Sequence, residues 1–279
     1  MSIRMASTAV PEYDSAKART TILGEIRELY RYRDFLRLLV AKTIKSRYKR
    51  SVLGVAWTLL NPLVTMLVMS VAFSTLFRTA IPRYPVYLLV GLTAWNFFSQ
   101  STTFAMGQLF WGGALMKRVY LPPTIFAVAC IANGLVNLGF ALVPLLAIML
   151  VLGQPLHLTW WFLPIAVLIL AVFSLGIALL MSSLAVLFMD VMEMYQLLLQ
   201  ALFFLTPILY PKDIVPKHLS WAMALNPMYY MVEIVRKPIY EGRIPDGATL
   251  LVSVGLAVGS LLLGAWIFTR QADELAYRI

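Results

Sequence analysis

Apolar residues in this chain come in long unbroken blocks. They do not alternate as in a strand, nor do they form the narrow stripe of a surface helix. The block 119–189 runs for about 70 residues without a single Asp, Glu, Lys or Arg. A helix needs about 20 apolar residues to cross roughly 30 Å of hydrocarbon, so that block holds two crossings. The turn between them is the run Gly153-Gln154-Pro155-Leu156-His157. Bounded in this way by length and flanking charge, the chain predicts six transmembrane spans: 52–77, 85–106, 124–152, 160–188, 194–210 and 248–269. Backbone polar groups in lipid must bond within their own segment, so the spans are helices. The expected fold class is an all-α membrane protein.

The segment between the fifth and sixth spans, about 211–247, is too long for a turn and is not simply polar. Its apolar stretches 218–223 and 228–235 are split by Asn226-Pro227. Neither crosses a bilayer alone, and Pro227 denies them one continuous helix. The expectation is a re-entrant pair of short helices that dips into the outer leaflet and returns, packed on protein. A single seventh span through 218–235 is the competing topology.

Ahead of the first span, residues 34–49 predict an amphipathic helix. Leu36, Val40, Ile44 and Tyr48 form a stripe at four-residue spacing, and Lys42, Lys45 and Lys49 lie opposite. Leu38 and Leu39 blur the pattern. Such a helix suits the inner membrane surface, with its stripe at the headgroup boundary and its lysines on phosphates.

Composition agrees with the blocks. The chain is 61% hydrophobic and 13% charged with a mean hydropathy of +0.80, about half the charged share of soluble domains. Its net charge of +10 is uneven: 12 of 23 Lys and Arg precede Ser51, against five acids there. Nucleic acid is one partner for such a segment. Anionic lipid beside a first span is the reading taken here, with no nucleic acid expected. Residues 1–50 lack the apolar core of a signal peptide, so an uncleaved first span is expected. With the N-terminus inside, 16 basic residues lie on the cytoplasmic side and seven outside, including Arg236 in the outer segment. That places both termini in the cytoplasm of a multi-pass inner-membrane protein. It divides the chain into a cytoplasmic segment with an interfacial helix, 1–51, and a membrane domain, 52–279.

The chemistry expected of an ion-coupled carrier is missing. No charge falls deep in a span, and Asp190 and Glu193 are assigned to the turn between the fourth and fifth spans. No phosphate-binding loop of the type G-x-x-x-x-G-K-[ST] is present, so the energy is expected from another chain. The lone Cys130 and the separated His157 and His218 suggest no metal site. Most aromatics suit interfacial anchoring. Tyr195, Phe203, Phe204, Tyr210, Tyr229 and Tyr230, by contrast, cluster on the fifth span and the segment after it. Such rings either pack as core or present faces on which a sugar chain could stack and slide.

Three runs, in this order, resemble ABC-2 type permeases that export polysaccharides: KSRYKRSVLGVAWTLLNP at 45–62, LTPILYP at 205–211, and LNPMYY at 225–230 followed by Glu233 and Arg236. The nearest resemblance is to O-antigen and teichoic-acid export permeases. It implies a homodimer, each copy bound to a cytoplasmic ATPase subunit that holds the ATP and Mg²⁺, with no cofactor in this chain. The substrate would be a lipid-linked polysaccharide. The first and fifth spans would line its path, with Trp57 and the six aromatics as lining residues, and the re-entrant pair would gate the outer end. The helix at 34–49, with Asp34 and Lys45, and the loop carrying Lys117 and Arg118 would contact the ATPase. Lys42, Arg47 and Lys49 are the expected partners of the lipid carrier's headgroup. Two rival readings remain: an ABC-2 permease for a drug or smaller lipid, and a membrane enzyme acting on lipid-linked sugars. The enzyme would have to use outer-side acids such as Asp213, Glu233, Glu241 and Asp246, which follow no catalytic spacing.

Overall fold

The computed structural model describes residues 24, 29–48, 56–77, 81–111, 124–188, 190–216, 218 and 220–278. Among these, every regular element is helical. The long elements are α1 (Arg33–Tyr48), α2 (Ala56–Phe77), α3 (Tyr84–Trp111), α4 (Thr124–Val151), α5 (Leu163–Leu187) and α6 (Asp190–Leu205). Two short helices follow, α7 (Ser220–Leu225) and α8 (Pro227–Arg236), and then the long α9 (Gly247–Arg278). The split between α7 and α8 falls at Asn226, one residue before Pro227, as the sequence predicted.

By length and composition, three segments are long and apolar enough to cross a membrane: Thr124–Val151, Leu158–Leu187 and Gly247–Gln271. The other three expected spans differ for separate reasons. The helix α2 has 22 residues, and the apolar stretch among its described side chains is Leu63–Phe73. The 28-residue α3 is diluted by polar side chains that face inward, since Thr93, Ser101 and Thr102 are all buried. Thr93 and Thr102 donate their hydroxyls to the carbonyls of Leu89 and Phe98, at 2.8 Å each. A helix surrounded by protein does not need to be apolar all round, and α3 packs against α2, α4, α5, α6 and α8.

The third case, α6, corrects the sequence boundaries at both ends. It begins at Asp190, so Asp190 and Glu193 occupy its first turn and not a loop. Carboxylates there complement the helix dipole. It ends at Leu205, short of the expected Tyr210, because Pro207 supplies no N–H and its ring excludes a continuing helix. Elsewhere the turn at 153–157 is as predicted. Gly153 adopts φ 64°, and Gln154 N–H donates to Met149 O at 2.8 Å, closing α4.

Hydrogen bonds define one end of the bundle. Arg83 donates from Nε to Leu152 O (3.2 Å) and from Nη1 to Gln154 Oε1 (3.1 Å). Gln154 Nε2 in turn donates to Tyr240 O (3.0 Å), and Thr159 Oγ1 donates to Pro238 O (2.8 Å). At the opposite end Leu109, Ala127, Leu179 and Phe268 form a separate apolar cluster. There Tyr32, Phe35, Leu36 and Leu39 seat α1 on Ile125 and Phe126 of α4. Successive long helices from α3 to α6 therefore alternate in direction, and α1 shares an end with the close of α9. Of the predicted stripe, Leu36 belongs to this contact, joined by Leu39, while Val40 and Ile44 are half-buried. Leu38, which blurred the stripe, faces away and is 67% exposed.

The most extensive helix pair is α5 with α9, and small residues allow its close approach. A Cβ on Gly176 would stand 2.3 Å from Ser260 C and 2.4 Å from Leu261 N, both backbone atoms. Gly176→Val must therefore force the two helices apart. The expected cost is about 1–3 kcal/mol, read as a lower melting temperature of the detergent-purified chain. An unchanged melting temperature would contradict this packing.

Candidate functional site at the helix break

The break after α6 sets the problem that its neighbours solve. Once Pro207 ends the helix, the carbonyls around it lose their helical partners. In an apolar interior an unpaired carbonyl costs about 1–3 kcal/mol. Three side chains from other elements supply the donors. Tyr84 Oη donates to Leu209 O at 2.7 Å, and Tyr87 Oη lies 3.0 Å from Pro207 O and 2.9 Å from Tyr210 O. Arg236 Nη1 donates to Pro207 O at 2.8 Å and to Tyr87 Oη at 2.9 Å. The break itself contributes Thr206, whose Oγ1 donates to Leu202 O (2.6 Å) and accepts from Asn226 Nδ2 (2.8 Å). Asn226 then caps α8, its Oδ1 accepting from Met228 N–H at 2.9 Å.

Arg236 is the residue whose role the sequence reading missed. Counted there among the outer-side cations, with no partner assigned, it is 1% exposed and wholly enclosed. Its guanidinium carbon lies 3.9 Å from the centroid of the Tyr87 ring. Its countercharge is Glu233, also buried, with Oε1 3.6 Å from Nη1. Nε and Nη2 find no hydrogen-bond acceptor; the aromatic face and the carboxylate carry the charge instead. Room for Nη2 comes from Gly91, where a Cβ would stand 2.5 Å away. The available signal was Glu233 and Arg236 at i,i+3 spacing in an otherwise apolar helix.

Beside this pair, Lys237 bonds Asp246. Asp246 also caps α9, its Oδ2 accepting from Thr249 N–H at 3.0 Å. The Lys237 ammonium and Thr249 hold the Asp246 carboxyl well below the usual carboxylate range. The cap thus stays charged at neutral pH and is lost only as pH falls through that depressed value. Burial raises the Tyr240 hydroxyl, partly offset by Arg236. Among the described residues, no cluster of three His, Cys, Asp or Glu could hold a metal ion. His157 packs its ring on Gly242, and His218 is exposed.

The aromatics named from the sequence separate into groups. Tyr195 is buried, and its hydroxyl donates to Thr102 Oγ1 at 2.8 Å. Phe203 is half-buried against Trp95, with ring centroids 5.4 Å apart. Phe204 is 60% exposed. Tyr210, Tyr229 and Tyr230 are half-buried at the break and on α8, with the Tyr229 and Tyr230 rings edge to face. On α1, Asp34 pairs with Arg37 (3.3 Å), and Lys42 and Lys45 are exposed. The side chains of Arg47 and Trp57, and Lys49, Lys117 and Arg118 altogether, lie outside the described residues.

Comparison with known proteins bears on the whole arrangement. Residues 35–240 match the family described as ABC-2 type transporter, a range that takes in both the break and α8. The chain is 32% identical over 258 residues to the O-antigen export system permease protein RfbA of Myxococcus xanthus, covering 91% of this chain and 98% of that protein. A protein of the same description from Klebsiella pneumoniae is 28% identical over 247 residues, 88% of this chain and 93% of its own. The polysialic acid transport protein KpsM of Escherichia coli is 24% identical over 242 residues, 85% and 93% respectively.

Two substitutions test the node. Glu233→Gln leaves a buried guanidinium without its countercharge and is expected to lower stability by about 3–5 kcal/mol. Tyr87→Phe removes a donor to the break and an acceptor for Arg236, at about 1–3 kcal/mol. Thermal unfolding of the purified chain measures both, and a Glu233→Gln variant as stable as the parent would contradict the pairing.

Proposed function

We infer that this chain, which belongs to the ABC-2 type transporter family, is the membrane permease subunit of an ABC exporter of polysaccharide. The observation that carries the reading is end-to-end similarity to a permease of O-antigen export, over 98% of that protein's length. The finer picture is our proposal. The long helices from α2 to α6 and α9 make six crossings of the inner membrane, with both termini in the cytoplasm. The alternating directions of α3 to α6, and the shared end of α1 and α9, support this. The segment with α7 and α8 is re-entrant and closes the outer end. Two copies assemble, each with a cytoplasmic ATPase subunit that binds ATP and Mg²⁺, and the cargo is a lipid-linked polymer.

In this mechanism the ATPase pair closes on ATP and pushes on α1 and the loop with Lys117 and Arg118. Helices α2 and α6 separate and open a passage between copies. The stacking surface reduces to Trp57, Phe204, Tyr210, Tyr229 and Tyr230, with Phe203 at its edge. Tyr195 holds α6 to α3 from behind. Aromatic faces bind a sugar ring by contact with little directional restraint, so a polymer advances by exchanging one stacked contact for the next. Lys42, Arg47 and Lys49 attract the phosphates of the lipid carrier.

Liposomes containing this chain and its ATPase subunit test the reading. ATP hydrolysis should be accompanied by movement of a lipid-linked polymer across the bilayer. Reversing Lys117 and Arg118 to Glu should weaken ATPase binding about tenfold, roughly 1.4 kcal/mol. Hydrolysis with the polymer left on its original side would overturn the reading.

A further inference from the structure

The two short helices of the outer segment are held very differently. Helix α8 is driven into the bundle, packing on α3, α5 and α9. Met228, Met231, Val232 and Ile234 are fully enclosed, and Glu233, Val235 and Arg236 nearly so. Its start is pinned to the break through Asn226 and Thr206, and its end through Arg236, Pro207 and Tyr87. Helix α7 has no such anchorage. Trp221 is 62% and Leu225 74% exposed. Among the described residues, its ties to the rest of the fold are the bond from Asn226 N–H to Met223 O (3.0 Å), the bond from Tyr230 Oη to Ala224 O (3.1 Å) and packing on α8.

We propose that Arg236 is a positioning residue that latches α8, the 206–210 break and the outer end of α3 into one rigid unit, so that opening of the outer end is confined to α7. The chemistry of the latch is specific to arginine. One guanidinium nitrogen reaches a carbonyl on the break and a hydroxyl on α3, while the planar cation lies over the Tyr87 ring and fills the space left by Gly91. A lysine ammonium supplies charge and donors but not the plane that stacks on the Tyr87 ring. If α8 moved on its own, Pro207 O would lose the Arg236 donor, and the buried charge of Arg236 would lose that carbonyl, the Tyr87 hydroxyl and the Tyr87 ring together. Among the described residues, motion of α7 about Asn226 breaks one backbone bond and the bond from Tyr230, with no buried charge involved. This inference rests on the permease reading for what opening serves, but the latch itself needs no nucleotide to be tested.

The experiment uses the full chain with its ATPase subunit in membrane vesicles, probed from the outer side with an impermeant maleimide and read by peptide mass spectrometry. Trp221→Cys reports on α7 and Val232→Cys on α8. The native Cys130, buried on α4, reports whether the fold is intact when a second sample is treated with a membrane-permeant maleimide. Without nucleotide, Trp221→Cys should label and Val232→Cys should not. Adding Arg236→Gln should raise Val232→Cys labelling about tenfold or more with Cys130 still protected, and Arg236→Lys should give an intermediate rise. Where Arg236→Gln also exposes Cys130, Gly91→Ala is the deciding variant, since its Cβ displaces Nη2, crowds Ile208 only at 3.2 Å and keeps every hydrogen-bonding partner chemically intact. With the ATPase trapped on ATP, Trp221→Cys labelling should change about fivefold or more while Val232→Cys stays silent. Labelling of Val232→Cys on trapping overturns the proposal. So does unchanged protection of Val232→Cys in both the Arg236 and Gly91 variants. A complex that hydrolyses no ATP sinks the permease reading instead, and the nucleotide-free arm still decides the latch.

Discussion

A proline that ends a helix inside an apolar bundle is the constraint on which this fold turns. Pro207 halts α6 after 16 residues and leaves carbonyls at 207, 209 and 210 that no helix can satisfy. Water is the usual remedy for such groups and is scarce among apolar helices, so the remedy must be built from side chains. That requirement accounts for tyrosines at 84 and 87 on the helix facing the break, for an arginine at 236, and for the polar Asn226 and Thr206 between them. Each is enclosed in the bundle, and each would be costly there without the others.

The same node explains how a full charge is tolerated in the interior. An isolated guanidinium in an apolar medium is very unfavourable, and a neighbouring carboxylate offsets this only in part. Arg236 has the Glu233 carboxylate, two oxygen acceptors and an aromatic face. None of these alone balances the cost of removing the ion from water; together they surround it. Such an arrangement contributes more to specifying one geometry than to net stability. It holds α8 in a single register against α3, where apolar contacts alone would tolerate sliding.

Much of the fold was legible because its signals are local. Long apolar blocks give helices whatever they pack against, the Gly153-Gln154-Pro155 run gives a turn, and Asn226-Pro227 gives a cap followed by a first-turn proline. What escaped depends on partners distant in sequence. Glu233 and Arg236 look the same in a solvated loop as in a buried pair, and only Tyr87, 149 residues away, distinguishes the two. Tyr195 was one aromatic among six until Thr102 took its hydroxyl. The apolar positions of α1 revealed a face to be covered, but not that Ile125 and Phe126 would meet Phe35, Leu36 and Leu39 there. The early start of α6 at Asp190 was local and still misread, because acids are assigned to loops before dipoles are considered.

These contacts make α3 the mechanical axis of the chain. It is tied to α6 at three levels: through the Tyr195 to Thr102 bond, through the Trp95 and Phe203 rings, and through Tyr84 and Tyr87 at the break. A helix backed on several sides and cross-linked along its length transmits displacement as a rigid body, because packed interiors do not compress. Its far end, at Leu109, leads into the segment of Lys117 and Arg118, where the proposed ATPase would push. A push there moves α3, α6, the break and α8 together and leaves no slack between them. The compliance needed to open a path must then lie where the contacts are sparse. Among the described residues of one chain that is α7, and in the proposed dimer it is whatever meets the exposed Leu197, Leu198 and Phe204 of α6.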